Sequence, residues 1–323
     1  MEKLQNGSDI RGVALEGVEG EPVNLTPEVV ETIGRSFVAW LRSTLGAERP
    51  VVAVGTDCRL SGPSVKTAFV RGAVAAVCQA VARSGADLGV IFDTDVDRSA
   101  IIGQGGEPIN RNALIALIAS IILEEHPGST IVTDSVTSDG LAAFIAERGG
   151  RHHRFRRGYK NVINEGIRLN ALGEECWLAI ETSGHAALRE NHFLDDGAYL
   201  AAKLIGCAAK MKRQGKRIHE VIASLRQPKE SKEIRIKLTA PDFKAYGERV
   251  LSDLKDKVAK VEGWALVQPN HEGVRVSCSN ADEDGWWLLR MSLHDPVMPL
   301  NIESNVEGGV AVIERKLRAI GLL

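Results

Sequence analysis

Asp87-Leu-Gly-Val-Ile-Phe92 runs without a break into Asp93-Thr-Asp-Val-Asp-Arg98. The first stretch is short and apolar, as a buried strand is. The second sets three carboxylates and a guanidinium directly behind it. In open α/β sheets the C-terminal ends of strands are where ligand-binding loops gather. Upstream, Thr26 as N-cap and Pro27 in the first turn open a helix expected over 28–45. Pro50 leads into a strand at Val51–Val54 and the loop Gly55-Thr-Asp-Cys-Arg59, and Pro63 to Arg83 reads as one long helix. Downstream, helices are expected over 113–125, 140–148 and 197–212, with strands over 130–133 and 177–180. This alternation predicts an α/β fold with a largely parallel sheet.

Around Gln227-Pro228-Lys229-Glu230 the character changes. Ile234 to Leu238 alternates apolar with basic residues, as a half-exposed antiparallel strand does. A helix over 243–258, short strands to Glu303 and a last helix over 308–317 complete the chain. A domain boundary is expected near residue 228, and a chain of 323 residues has room for two or three domains.

Composition excludes several function classes. Hydrophobic residues at 44% and charged residues at 25% make the ordinary balance of a globular protein. Lys plus Arg number 40 against 42 Asp plus Glu, so no charge bias points to a polyanion. The basic stretch Arg151 to Lys160 has only Phe155 and Tyr159 as aromatics, and a solvated strand edge next to a phosphate site is expected there rather than a nucleic-acid surface. Cys58, Cys78, Cys176, Cys207 and Cys278 are dispersed without a CxxC pair, which points to reduced thiols. The most apolar stretch, Ala113 to Leu123, falls short of the ~18–20 residues of a membrane span and reads as a buried helix. The start, Met1-Glu-Lys-Leu-Gln-Asn-Gly, has neither an apolar signal core nor a transit composition, so a cytoplasmic location is expected, with no membrane partner.

Three motifs carry chemistry. Asp93, Asp95 and Asp97 alternate, which would line their carboxylates along one side of an extended loop; hard oxygen ligands so placed suit Mg²⁺. A calcium EF-hand fails, because the sixth and twelfth positions are Arg98 and Gln104. An apolar strand followed by Asp-x-Asp is also similar to the nucleophile motif of haloacid-dehalogenase-like phosphatases, although Asp97 and Arg98 have no role there. Glu181-Thr-Ser-Gly-His185 offers a carboxylate and a hydroxyl for vicinal sugar hydroxyls, with Gly184 allowing close approach. In Arg290-Met-Ser-Leu-His-Asp-Pro296, Arg290 supplies a fork for phosphate and Ser292 a donor. A solvated acidic turn, a polar turn and an ordinary β-turn are the plain structural alternatives for the three.

Together these stretches resemble the loops of the α-D-phosphohexomutases, the phosphoglucomutases and phosphomannomutases. The resemblance implies that Asp93, Asp95 and Asp97 bind Mg²⁺ and that Arg98 contacts the reacting phosphoserine. Glu181, Ser183, Gly184 and His185 would form the sugar-recognition loop. Arg290 and Ser292 would bind phosphate, with Leu293 and His294 departing from the Gly and hydroxyl residue usual in that loop. Ser8-Asp-Ile-Arg-Gly12 is similar to an N-terminal signature, which gives Arg11 an active-site contact. Gly55-Thr-Asp-Cys-Arg59-Leu-Ser61 is similar to a first-domain segment, and Gly158-Tyr-Lys160 to a turn whose Lys160 reaches substrate.

One family loop has no counterpart. Thr-x-Ser-His-Asn-Pro, whose serine carries the phosphate, should precede the metal loop, yet nothing in residues 60 to 92 resembles it; Ser61, Ser64 and Ser84 have no His or Asn beside them. The resemblance thus implies an internal deletion and four segments. These are a truncated first α/β/α domain (1–84), a remnant of the second with the metal loop (85–108), a third α/β/α domain (109–228) and a smaller α+β C-terminal domain (229–323). The implied activity is a phosphohexomutase, an isomerase that moves a phosphoryl group between the 1- and 6-positions of a hexose in carbohydrate metabolism. Its partners would be hexose phosphate and hexose bisphosphate, and its activity would be impaired in this form. A non-catalytic sugar-phosphate-binding remnant is the alternative.

Overall fold

The computed structural model describes residues 4–6, 9–10, 12–16, 22–45, 61–93, 95–240, 242–292 and 295–323. Ser8, Arg11, the expected strand Val51–Val54, the loop Gly55 to Arg59, Leu293 and His294 lie outside the described residues. Contacts divide the chain into two compact units, 1–109 with 204–220, and 110–203 with 221–323.

In the first unit, β1 (Gln5–Asn6) pairs antiparallel with β2 (Asp9–Ile10). Helices α1 (Pro27–Leu45) and α2 (Gly62–Ser84) pack closely on each other. Two glycines set that closeness. A Cβ on Gly34 would stand 2.3 Å from the Phe69 carbonyl oxygen, and one on Gly72 would stand 2.0 Å from that of Glu31. Any larger residue would force the helices apart. Phe37 adds ring contacts with Trp40 and Phe69, at 5.9 and 5.8 Å. By length and composition, Ser64–Ser84 is the one helix among the described residues apolar enough to cross a membrane, although only 22% of it is buried. Ala113 to Leu123 is still the more apolar stretch, as the sequence indicates; α2 qualifies through its greater length and many Ala and Val residues.

Strands β3 (Leu88–Phe92), β4 (Ser99–Gly103) and β5 (Pro108–Ile109) form an antiparallel sheet in that order. Phe92 pairs with Ser99, so the acidic stretch 93–98 is the turn of a hairpin. From segment 204–220, Lys212 reaches Asp87 at 2.6 Å and His219 reaches Glu107 at 3.5 Å.

The second unit begins with α3 (Asn112–Glu125), apolar all round and buried from Leu114 to Ser120, as the sequence predicts. Then follow β6 (Thr130–Asp134), α4 (Asp139–Glu147), β7 (Arg151–Phe155), α5 (Tyr159–Ala171), β8 (Cys176–Ile180), β9 (Ala186–Leu188) and the start of α6 (Gly197–Arg213), whose residues from 204 on belong to the first unit. The sheet order is β7-β6-β8-β9. Helix α5 lays Val162 and Leu169 on Val132, Cys176 and Ala179. Alternation sends Ile131, Leu178 and Ile180 to the opposite face. There α3 packs on β8, and α4 on α3 and β7. Sequence reasoning misses α5. Its buried residues Val162, Glu165, Gly166 and Leu169 keep helical spacing, but a Glu and a Gly in the stripe disguise it.

Parallel pairing joins β6 to β7 and β8; the other described pairs are antiparallel, so the largely parallel sheet expected from alternation is confined to 130–180. Among the antiparallel pairs, β3 with β4 and Val274–Cys278 with Gly285–Leu289 are sequence neighbours joined by short turns, which can only return the chain antiparallel, whereas Glu230–Lys237 reaches Val297–Ser304 across the whole C-terminal part.

The C-terminal part holds β10 (Glu230–Lys237), α7 (Phe243–Val258), β11 (Trp264–Leu266), β12 (Val274–Cys278), β13 (Gly285–Leu289), β14 (Val297–Ser304) and α8 (Gly309–Ala319). Its antiparallel sheet runs β10-β14-β13-β12-β11. Both faces are buried, which explains the unbroken apolar run Gly285-Trp-Trp-Leu-Leu289. Val276, Trp287 and Leu289 pack with α7 and α8. Trp286 and Leu288 point the other way and pack with Val136.

On that second face Arg275 is almost wholly buried. It donates to the carbonyls of Ser135 and Thr137 at 2.9 and 3.2 Å and to Asp139 at 2.9 Å, with Trp286 3.6 Å below its guanidinium. Arg154 donates to the Ser138 carbonyl at 2.8 Å and to Asp139 at 2.7 Å. The basic stretch is therefore a solvated strand edge only in part: Arg151, Arg156 and Lys160 are exposed, and Arg154 is turned inward. β7 is an edge strand whose His153 and Phe155 rings meet His271 of the C-terminal part, and Arg156 donates to the His271 carbonyl at 3.0 Å.

Candidate functional site

The acidic turn lies in the first unit. It is not extended: Val96 donates to the Asp93 carbonyl at 3.3 Å and sits at φ 63°, unusual for a β-branched residue. The tight turn, rather than alternation along a straight segment, brings one oxygen each from Asp93, Asp95 and Asp97 within 4.8 Å of one another. Such a set could hold a hard divalent cation. Arg98 supplies the countercharge within the turn. Its Nε donates to Asp93 Oδ2 at 2.6 Å, its backbone N–H to Asp93 Oδ1 at 3.1 Å, and it lies 3.5 Å from Asp97. Burial works against ionised Asp93, but these bonds from Arg98 outweigh it and hold its pKa below the usual range.

The second unit brings together Glu181, Gly158 and Arg290 from different elements. Register pairs Thr133 with Ile180, so Asp134 and Glu181 leave the C-terminal ends of neighbouring parallel strands side by side. Glu181 is buried; Oε1 accepts the Gly158 N–H at 2.6 Å and Oε2 accepts the Ser183 hydroxyl at 2.9 Å. Both groups expected to face sugar hydroxyls are thus bonded to protein, though a carboxylate keeps further lone pairs. Gly184 adopts φ 101° and donates to the Glu181 carbonyl at 3.1 Å. His185 is oriented by Asp195, with Nδ1 2.7 Å from its carboxylate, and stacks on Tyr159 at 4.7 Å. Lys160 lies 5.7 Å from the Tyr159 ring centre, next to this loop.

Asp134 is fully buried behind the loop. It accepts the Thr182 N–H at 3.2 Å and hydroxyl at 2.7 Å. Burial pushes its pKa up to about 6; the Thr182 bonds oppose this, Glu181 adds to it, and Arg157 at 3.9 Å pulls it down. Glu272, from the loop between β11 and β12, accepts the Ser135 hydroxyl and, at 3.2 Å, the Arg157 N–H. Gly273 beside it is tight against the chain at Arg290: its φ is 60°, and a Cβ there would stand 2.1 Å from the Leu289 carbonyl oxygen and 2.9 Å from Arg290 Cα.

Arg290 itself is only 6% exposed. It forms no ion pair among the described residues; its Nε has no hydrogen-bond partner, and Nη1 reaches only the Met291 carbonyl at 3.4 Å. A buried guanidinium without a carboxylate is costly, and such a pocket suits an anion. Ser292 donates its N–H to the Val297 carbonyl at 3.0 Å, while its hydroxyl accepts from Asp295 at 3.3 Å.

Asp134, Arg157 and Glu272 were not picked out from sequence. The available signal was the placement of Asp134 at the end of a parallel strand, where ligand loops gather. Glu272 had no local signal, because its partners are 115 and 137 residues away.

Comparison with known proteins places this geometry in context. The model of phosphoglucomutase/phosphomannomutase α/β/α domain III matches residues 110–228, and that of domain I matches residues 2–85. A phosphomannomutase/phosphoglucomutase of Pseudomonas syringae pv. tomato is 30% identical over 236 residues, 72% of this chain and 46% of the relative. A phosphoglucomutase of Neisseria gonorrhoeae is 26% identical over 304 residues, 93% of this chain and 61% of the relative. The chain therefore spans about half to three-fifths of these curated relatives. The crystal structure of a phosphoglucomutase/phosphomannomutase family protein from Burkholderia thailandensis superposes with TM-score 0.61 at 23% identity, over 89% of this chain and 64% of that one, a likeness of fold.

Proposed function

The chain belongs to the α-D-phosphohexomutase family, and from that premise we propose that it binds hexose phosphates through the Glu181–His185 loop and Arg290. The observation that carries this is the buried Arg290 guanidinium without a carboxylate partner among the described residues. Its fork would take the phosphate, with the Ser292 hydroxyl beside it. Glu181 and Ser183 would take ring hydroxyls by exchanging their mutual bond for bonds to sugar, and Lys160 would add a second cationic donor. The full family reaction is the interconversion of hexose 1- and 6-phosphates in carbohydrate metabolism. The sequence lacks the serine loop that would carry the phosphoryl group, so that reaction is impaired in this form.

Asp93, Asp95 and Asp97 would hold Mg²⁺, whose oxygen preference fits three converging carboxylates. Bound there, the ion would supply charge neutralisation to a transferring phosphoryl group. Arg98 keeps Asp93 ionised at neutral pH, in the state a cation needs. The mutase names of the relatives favour this reading over the haloacid-dehalogenase one. A cytoplasmic location is part of the same proposal.

Thermal unfolding tests the binding site. Glucose 6-phosphate or mannose 6-phosphate should raise the melting temperature, because a ligand that binds only the folded state stabilises it. Equal shifts with inorganic phosphate and with both sugars would remove the sugar site.

A further inference from the structure

Arg157 ends the strand-to-helix connection between β7 and α5, one residue before Gly158. Its backbone N–H is fixed by Glu272, whose neighbour Gly273 is packed against Arg290 Cα. The two arginines are therefore anchored on opposite sides of one short loop. The side chain of Arg157 is 35% exposed. Among the described residues its guanidinium has one ion pair, the 3.9 Å approach to Asp134, too long for a hydrogen bond. Its N–H donors are thus unspent.

The plain structural account makes Arg157 a counterion for Asp134. At 3.9 Å that pairing is loose, while Thr182 already satisfies both carboxylate oxygens. It also leaves a like-charge problem. Beyond the effect of burial, the Glu272 carboxylate favours protonated Arg290, and the charge of Arg157 works against it. Two guanidinium groups in one site repel each other, and a bound anion would relieve that repulsion. Each has donors to spare, and Arg290 is buried as well.

We infer that Arg157 is a further cationic ligand, beside Arg290 and Lys160, of the phosphate site, kept in register with the sugar loop by the buried carboxylate of Asp134. The inference rests on the sugar-phosphate reading above and adds a charge requirement to it. Two guanidinium groups favour a dianion, which a phosphate monoester is above its second pKa of about 6. Asp134 grips Thr182 of the sugar loop with the same carboxylate that faces Arg157. It is a positioning residue that ties the cation to the loop.

The test is calorimetric titration of the 323-residue chain at pH 7.5 with glucose 6-phosphate and with glucose 6-sulfate, a monoanion of similar shape. Wild type should prefer the phosphate ester. Arg157→Ala should weaken phosphate binding roughly ten- to hundredfold, as loss of a charge-assisted bond does, and sulfate binding only a few-fold. The phosphate-to-sulfate ratio would then fall towards one. Arg157→Lys, which keeps the charge, should keep the wild-type ratio and shows that the fold is intact. A ratio unchanged in Arg157→Ala, or equal losses for both esters, overturns the role of Arg157 while leaving the site at Arg290 standing. Wild type that binds neither ester overturns the sugar-phosphate reading itself.

Discussion

Glu181 accepts the backbone N–H of Gly158 at 2.6 Å, although the two residues follow strands on opposite sides of β6. The bond spans the end of β6, where Asp134 is buried beneath it. Loop and turn are thus closed over a carboxylate that has no access to water. The sugar loop, the Arg157 turn and the end of β6 consequently respond as one piece.

Asp134 should give stability a pH dependence of known sign. Its folded pKa of about 6 lies above its unfolded value, so the folded state holds the proton more tightly. The stabilisation is fully present below about pH 4 and is lost as pH rises towards 6. The difference amounts to about 3 kcal/mol. Urea unfolding of wild type and Asp134→Asn from pH 4 to 7 checks this. The wild-type advantage should shrink across that window and then level off, whereas a constant difference would refute the assignment.

Arg290→Met should separate ligand binding from folding. Without ligand, removing a buried unpaired charge leaves the melting temperature unchanged or raises it. With millimolar glucose 6-phosphate, wild type should gain several degrees and the variant almost none. A large loss of stability in the ligand-free variant would show that Arg290 is structural.

Much of this site is legible in sequence because it lies on contiguous loops. Asp93 to Arg98 and Glu181 to His185 each sit behind an apolar strand, and the structure keeps each set together in a single turn. What sequence does not carry is the partner each side chain takes. Ser183 bonds Glu181 and Arg98 bonds Asp93, so groups expected to face a ligand are held by neighbours instead. The Glu272 contacts with Ser135 and Arg157 depend on how the C-terminal sheet packs on 135–139, and no local pattern encodes that packing. The same holds for Arg154 and Arg275, which read as surface bases until the sheet covers them.

Arg275→Ala should loosen that packing. It removes bonds to two carbonyls and Asp139 together with the stacking contact on Trp286. Asp139 is half exposed and can be resolvated, so the loss is about 2–4 kcal/mol, short of what a fully buried pair would cost. A lower urea midpoint, with quenching of Trp fluorescence as Trp286 meets water, is the expected readout. A change within about 0.5 kcal/mol, the range of ordinary surface substitutions, would contradict it.

Metal binding at the acidic turn should be weak and single. Mg²⁺ bound by three carboxylates would lack a phosphate oxygen, and Arg98 already occupies part of Asp93. Titration calorimetry should show one site that disappears in Asp95→Ala. An isotherm identical in that variant would remove the metal from this turn.

The final prediction concerns turnover. The 323-residue chain should not interconvert hexose 1- and 6-phosphates at a useful rate. Positioning and charge neutralisation lower the barrier for a phosphoryl group in flight, but the mutase reaction also needs a group that accepts it and returns it. Helix α2 ends at Ser84 and β3 begins at Leu88, which leaves no room between them for a Thr-x-Ser-His-Asn-Pro loop. Ser64 and Ser84 are spent on the carbonyls of Ser61 and Val81, at 2.9 and 3.3 Å, as helical serines commonly are. Among the described residues, neither hydroxyl is bonded to a base that could activate it. A coupled assay with a hexose bisphosphate activator, run beside mass spectrometry for phosphoserine, decides the matter. Sustained turnover with phosphate on Ser61, Ser64 or Ser84 would identify a substitute nucleophile and overturn the prediction. Slow release of inorganic phosphate without isomerisation would be the signature of water taking the place of the serine.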